Sequence, residues 1–243
     1  MAGHSKWANI KRKKAKVDAQ RGKIFTRLTK EIILAAKLGG GDPAGNMRLK
    51  AALEKAKEAN LPKDKIERAI LKGTGQLSAS NLEQIVYEGY GPGGVAVLMN
   101  ITTDNRNRTA GEIRHIFSKH NGNLGESGCV SWMFDRKGLL VVEKENAGIE
   151  EDDLMMMVLE AGAEDMKVED DVYEIYTAAD DFTEVYKNLE AKNIPVAEAE
   201  ITMIPQTTVK LQGEEAEKMM KLLEVLEEHD DVDDVYSNFE MEK

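Results

Sequence analysis

Residues 165–205 read DMKVEDDVYEIYTAADDFTEVYKNLEAKNIPVAEAEITMIP, and the order of elements within them decides the architecture. DMKVED and VYEIYTA are rich in β-branched and aromatic residues and meet at an acidic turn, which predicts two adjacent strands. DFTEVYKNLEAKN places its apolar residues at helical spacing, and AEAEITMIP returns to a period of two. Just upstream, GLLVVE (138–143) predicts a strand and EDDLMMMVLEAGA an acid-led helix. Strand, helix, strand, strand, helix, strand is the split βαβ, ferredoxin-like arrangement.

The flanking sequence is less complete. EQIVYEGYGPGGVAVLMNITTD predicts two strands about a Gly-Pro-Gly-Gly turn. RNRTAGEIRHIFSKHNG predicts a helix, with Thr109 and Glu112 spaced as a capping box and Ile113, Ile116 and Phe117 as its buried stripe. GCVSWMF again reads as a strand. After residue 205, TTVKLQG, EEAEKMMKLLEVLEEH and VDDVYSNFE form one more βαβ with no layer of its own. An incomplete layer must find a partner, so residues 206–243 are expected to pair with 76–134, leaving 135–205 as an inserted domain.

The first 75 residues read as three helices. Ile24, Phe25, Leu28, Ile32, Ala35 and Ala36 fall on one face of a helix over 22–38, with Lys23, Arg27, Lys30 and Lys37 opposite. GGGDP breaks the chain at 39–43, and a second helix over 44–59 is expected to turn Met47, Leu49, Ala52, Leu53 and Ala56 inward. Pro62 suits the first position of a third helix, which KGTG closes. The fold class is therefore α+β: an N-terminal three-helix domain (1–75), then two α/β ferredoxin-like domains, one inserted in the other.

Charge is divided unevenly along this plan. The formal net charge is -11, yet residues 1–75 hold 19 Lys and Arg against 7 Asp and Glu, while the remainder holds 14 against 37. Such asymmetry points to a polyanionic partner for the basic segment. It also raises the expectation that the acidic domains dock on the basic one and compete with nucleic acid. The candidate interface is Lys6, Trp7, Lys11, Arg12, Lys13, Lys14, Lys16, Arg21, Lys23 and Arg27, because cations that neutralise phosphates release condensed counterions. Trp7 suits stacking on an unpaired base, or equally an anchor that pins the leader to the helices behind it. Arg106, Arg108 and Arg114 form a possible second patch, since arginines at a helix start oppose the macrodipole.

Signals for chemistry are thin. YEGYGPGG lacks the strand-G-x-G-x-x-G-helix order of a dinucleotide site and the Lys-Ser/Thr pair of a P-loop, so it reads as a hairpin turn, with phosphate binding beside Arg106 and Arg108 as the rival. His4, His115, His120 and His229 show no metal-ligand spacing, and Cys129 is the single cysteine. EEDD (150–153) and DDVDD (230–234) could hold Mg²⁺ but suit a helix start and a solvated turn. No catalytic residue, metal or cofactor is called, and no membrane span or secretory leader is read. One cysteine and the lack of a leader predict a cytoplasmic protein; a transit-peptide reading of the basic leader is disfavoured by its few serines. Oligomeric state is not encoded in any of these patterns.

With those residues in place, the chain resembles the YebC family. The likeness rests on MAGHSKWANIKRKKAKVDAQRGKIFTRL, GGGDPAGNMRLKAALEKAKEANLPKDKIERAI, YEGYGPGGVAVLMNITTDNRNRTAGEIRHIF and GCVSWMFDRKG, and extends over essentially the whole chain. Bacterial members are described as probable transcriptional regulators, and a mitochondrial relative as a translational activator of a cytochrome oxidase subunit. The resemblance implies three domains, the second discontinuous, and a non-enzymatic regulator that binds DNA or acts through RNA on the ribosome.

Overall fold

The computed structural model describes residues 21–77 and 81–242. It contains a helical segment followed by two mixed α/β regions with antiparallel sheets, and its contacts gather into two units. Trp132–Lys210, with the chain end after Glu240, makes one; the helical segment, the stretch up to Ser131 and Leu211–Phe239 make the other.

In the helical segment, α1 (Arg21–Gly39), α2 (Met47–Glu58) and α3 (Lys63–Gly73) share a small aliphatic core of Ile32, Leu49, Ala52, Ala56, Leu61 and Ala69. Residues 32–36 of α1 are buried on every side, so this helix cannot keep one face in water along its whole length. α2 starts later than the sequence pattern predicts. Asn46 takes the N-cap, and its Oδ1 accepts from Leu49 N at 3.0 Å. Its Nδ2 donates to Ala35 O and Gly40 O, each at 2.8 Å. This shift overturns one expectation: Met47, at the first helical position, points outward and is 76% exposed. Pro62 sits at the N-cap of α3, one place before the position expected for it.

The same unit holds a sheet of order β3-β1-β2-β9, built from β1 (Glu83–Tyr90), β2 (Ala96–Thr103), β3 (Asn123–Leu124) and β9 (Val232–Ser237). β1 and β2 pair antiparallel from Glu83↔Thr103 to Tyr90↔Ala96 around the short turn Pro92–Gly94, as the hairpin reading expects. Gly93 takes a φ of 66°, which a side chain would resist. Two helices pack here, α4 (Arg106–Lys119) with Ile113 and Phe117 buried, and α8 (Gly213–Glu228) with Met219, Leu222 and Leu226 buried.

Three local expectations fail. Thr109 is not a cap: Asn105 is, its side chain accepting from Arg108 N at 3.1 Å, and Thr109 lies buried one turn inside α4. GCVSWMF is not a strand. The buried Glu88 carboxylate collects the amides of Gly128, Val130 and Ser131 at 2.6–2.7 Å, so these residues wrap around a charge rather than extend. Burial pushes that carboxyl upward, and the three amide donors outweigh it and hold it below the usual range. Third, of the tail only β9 joins the sheet; β8 (Val209–Leu211) pairs with β10 (Phe239–Met241) in a two-stranded ladder.

The second unit contains β4 (Phe134–Glu143), α5 (Lys144–Ala147), α6 (Glu151–Glu160), β5 (Asp165–Val168), β6 (Val172–Ala178), α7 (Phe182–Ala191) and β7 (Val196–Pro205). Its sheet runs β5-β6-β4-β7, with the β5–β6, β6–β4 and β4–β7 pairs all antiparallel. Leu154 and Val158 of α6 and Val185 and Leu189 of α7 close the core over Leu140, Val142 and Ile175. Glu151, Asp152 and Asp153 occupy the first turn of α6, where the helix dipole favours negative charge. Replacing Asn46 by Ala removes a cap and two carbonyl ties at once and should cost the helical segment about 2 kcal/mol, read as a lowered urea midpoint.

Candidate nucleic-acid interface

Of the leader residues expected to meet phosphate, Lys6, Trp7, Lys11, Arg12, Lys13, Lys14 and Lys16 lie outside the described residues, and Arg21 is described by its backbone alone. Lys23 and Arg27 are placed, and they share a stripe of α1 with Lys30 that faces the turn between α8 and β9. Arg27 Nη2 donates to Val232 O at 2.7 Å. Lys30 Nζ donates to Asp231 Oδ1 at 2.7 Å, to Asp230 O at 2.9 Å and to Thr102 O at 3.0 Å. The face of α1 that periodicity assigns to solvent is therefore committed to the chain's own tail.

Asp231 is the centre of this arrangement. Its carboxylate takes Lys30 on one oxygen, and Arg108 Nη2 at 2.8 Å and Thr109 Oγ1 at 2.7 Å on the other, with its side chain only 8% exposed. Burial pushes this carboxyl upward, but hydrogen bonds from Lys30, Arg108 and Thr109 prevail and hold it well below the usual carboxylate range. One acid thus ties α1, the start of α4 and β9 together. Thr102 Oγ1 donates to the neighbouring Asp233.

Lys23 completes the stripe differently. Its ammonium nitrogen is buried with no hydrogen-bond partner among the described residues. Burial and the nearby Arg27 charge lower its pKa to about 8, against the upward pull of Asp230, Glu228 and Glu227. This lysine therefore costs stability while it is charged, and the cost lifts as pH rises through about 8 toward its ordinary value.

The second patch is split. Arg108 is engaged by Asp231 and by Asp104 at 3.0 Å, so the macrodipole conflict has an internal reason. Arg106 is 61% exposed with Glu83 at 3.7 Å, and Arg114 is exposed on the same helix. The Gly-rich turn is a packed hairpin. Gly91 N and Gly94 N donate within the turn, and a side chain on Gly91 would strike Met219 of α8. Phosphate binding there finds no support in its geometry.

Glu112, His229 and Asp231 place ligand atoms within 4.8 Å of one another. His229 Nδ1 accepts from Asp231 N at 3.1 Å and Nε2 faces Glu112 Oε2 at 3.0 Å, so both ring nitrogens are spent. Lys30 and Arg108 already neutralise the Asp231 carboxylate. The donor set suits an ion-pair hub and not a metal ion. Outward-facing cations remain on α2 and α3: Lys50, Lys55, Lys57, Lys63, Lys65, Arg68 and Lys72 are all exposed. Lysines dispersed among acids, as these are with Glu54, Glu58, Asp64 and Glu67, do not stand out as a motif in sequence; only the inward turn of α1 singles them out.

Comparison with known proteins covers nearly the whole chain. The pattern described as TACO1/YebC protein N-terminal domain matches residues 5–76, and that described as TACO1/YebC second and third domain matches residues 82–239. The chain belongs to the TACO1/YebC family. It is 62% identical to a probable transcriptional regulatory protein of Desulforamulus reducens and 63% identical to one of Pelotomaculum thermopropionicum, each alignment covering all of both chains. A crystal structure of a conserved hypothetical protein from Aquifex aeolicus is similar with a TM-score of 0.76 and 51% identity, over 94% of either chain. Members of this TACO1/YebC family are non-enzymatic regulatory proteins. No helix among the described residues is long and apolar enough to cross a membrane.

The hub predicts an acid response with a definite sign. A depressed carboxyl contributes stability in full above its unfolded pKa of about 3.9 and loses it as pH falls toward the folded value. Urea midpoints should therefore drop below about pH 4 in the wild type and drop less steeply in Asp231→Asn. At neutral pH Asp231→Ala should cost about 3 kcal/mol, because Lys30 and Arg108 lose the carboxylate they share.

Proposed function

We propose that the protein is a cytoplasmic, nucleic-acid-binding regulator of gene expression that acts by binding and not by catalysis. The observation that carries this reading is the charge division: 19 cations against 7 acids in the first 75 residues of a chain that is otherwise strongly acidic. The interface it proposes is the basic leader from Lys6 to Arg21 together with the exposed cations of α2 and α3. Arg27 serves mainly to seat α1, the Lys23 nitrogen lies buried beside it, and Arg106 and Arg114 supply an outlying contact. The named relatives favour promoter DNA as the polymer and transcription as the process.

A second reading, translational regulation through ribosomal RNA, has an observation of its own. α3 carries Asp64 and Glu67 among its cations, which suits scattered phosphate contacts better than a helix laid in a major groove. We also propose the division into 1–75, 76–134 with 206–243, and 135–205. The order β5-β6-β4-β7 with α6 and α7 over it supports a ferredoxin-like assignment for the last.

Crosslinking the protein to its nucleic acid in cells and sequencing the product should recover promoter DNA on the first reading and ribosomal RNA on the second; recovery of neither contradicts both. In solution, log affinity should fall linearly with log salt, and the triple change of Lys11, Lys13 and Lys14 to Ala should flatten that slope by about 2 to 3. An unchanged slope removes the leader from the interface.

A further inference from the structure

Met47 and Leu38 are 76% and 68% exposed, the largest values among the large apolar side chains of the described residues. They bracket the loop GGGDPAGN between α1 and α2. This loop is held firmly. Asn46 ties it to Ala35 and Gly40, Gly40 N donates to Ala36 O at 2.9 Å, and Asp42 Oδ1 accepts from Ala44 N at 2.9 Å.

The chain ends around it are packed against one another. A Cβ on Gly39 would lie 2.6 Å from Asn46 Nδ2, one on Gly41 3.0 Å from Thr74, and one on Gly73 2.6 Å from the Ala36 Cβ. The ends of α1 and α3 and the start of α2 therefore meet in one tip. Leu71 and Leu77, 36% and 38% exposed, belong to it as well, so four of the ten exposed large apolar residues gather at one end of the basic segment. Its charge is cationic: Lys50 and Lys72 are exposed, while Lys37 donates to Leu82 O at 3.0 Å and Arg48 to Glu31 at 2.7 Å, and Asp42 is the sole acid between Glu31 and Glu54.

Apolar residues on a rigid, cationic tip match one chemical target well. Phosphates satisfy the lysines, and unstacked bases offer apolar faces to leucine and methionine, which are side chains that wedge between base steps. A tip already fixed by Asn46 loses little freedom on binding. We propose that this tip is a base-contacting wedge that takes single-stranded or looped nucleic acid, with Leu38 and Met47 against unpaired bases. It rests on the nucleic-acid reading above and names the part of the polymer engaged.

The test uses the full chain, as wild type and as the double variant Leu38→Ala/Met47→Ala, titrated at several salt concentrations. The probes are a hairpin RNA with 2-aminopurine in its loop and a fully paired duplex of equal length. Both side chains are solvent-exposed, so the melting temperature should hold. The expected result is a loss of about tenfold in affinity for the loop at every salt, with the salt slope unchanged. The 2-aminopurine response should vanish and duplex binding should stay the same. Wild-type and variant proteins that bind the loop equally overturn the wedge alone. A loss that appears only as a flatter salt slope does the same, because it reports charge and not apolar contact. A wild type that binds neither probe overturns the nucleic-acid reading and the wedge with it.

Discussion

Everything in the larger unit hangs on one buried carboxylate. Asp231 sits where the chain returns from α8 into β9, and it binds Lys30 of α1 and both Arg108 and Thr109 of α4. A charge this shielded is tolerable only because it is fully partnered, and its partners are equally dependent on it. The hub therefore does more than add stability. It decides that the basic stripe of α1 faces the chain's own tail, and so it decides which cations are left for a partner.

That choice reshapes the charge map. Within the 227–234 run Asp231 binds Lys30 directly, the Val232 carbonyl takes Arg27, and Asp230, Glu228 and Glu227 act on Lys23 through charge alone. On the proposed reading, phosphate would meet the leader and the exposed lysines of α2 and α3. Within the larger unit, a short turn of the tail thus takes up two of the cations of α1. The proposed wedge at the glycine-rich tip would add apolar contact that charge alone cannot supply.

Much of the architecture was legible because strands and helices of this chain carry strong periodicity. The β1–β2 hairpin, the helices α4, α6, α7 and α8, and the strand pair β5–β6 all follow from it. Three of the misses come from a side chain that competes for backbone groups, near or far in sequence. Glu88 takes the amides of Gly128, Val130 and Ser131 from 40 or more positions away, so an apparent strand becomes a loop. Asn105 and Asn46 claim N-caps that spacing assigned elsewhere. The inward stripe of α1 was hidden for a related reason. Lys30, at helical spacing with other cations, looks like a solvent contact until a carboxylate 201 residues away is known to meet it.

The most direct measurement is hydrogen exchange on the full chain, free and saturated with a polynucleotide it binds. If the hub holds α1 against the tail while the exposed cations do the binding, protection should rise over residues 38–58 and stay constant over 227–234. Loss of protection across 227–234 on binding would show the stripe of α1 leaving Asp231 for phosphate, and would contradict the account.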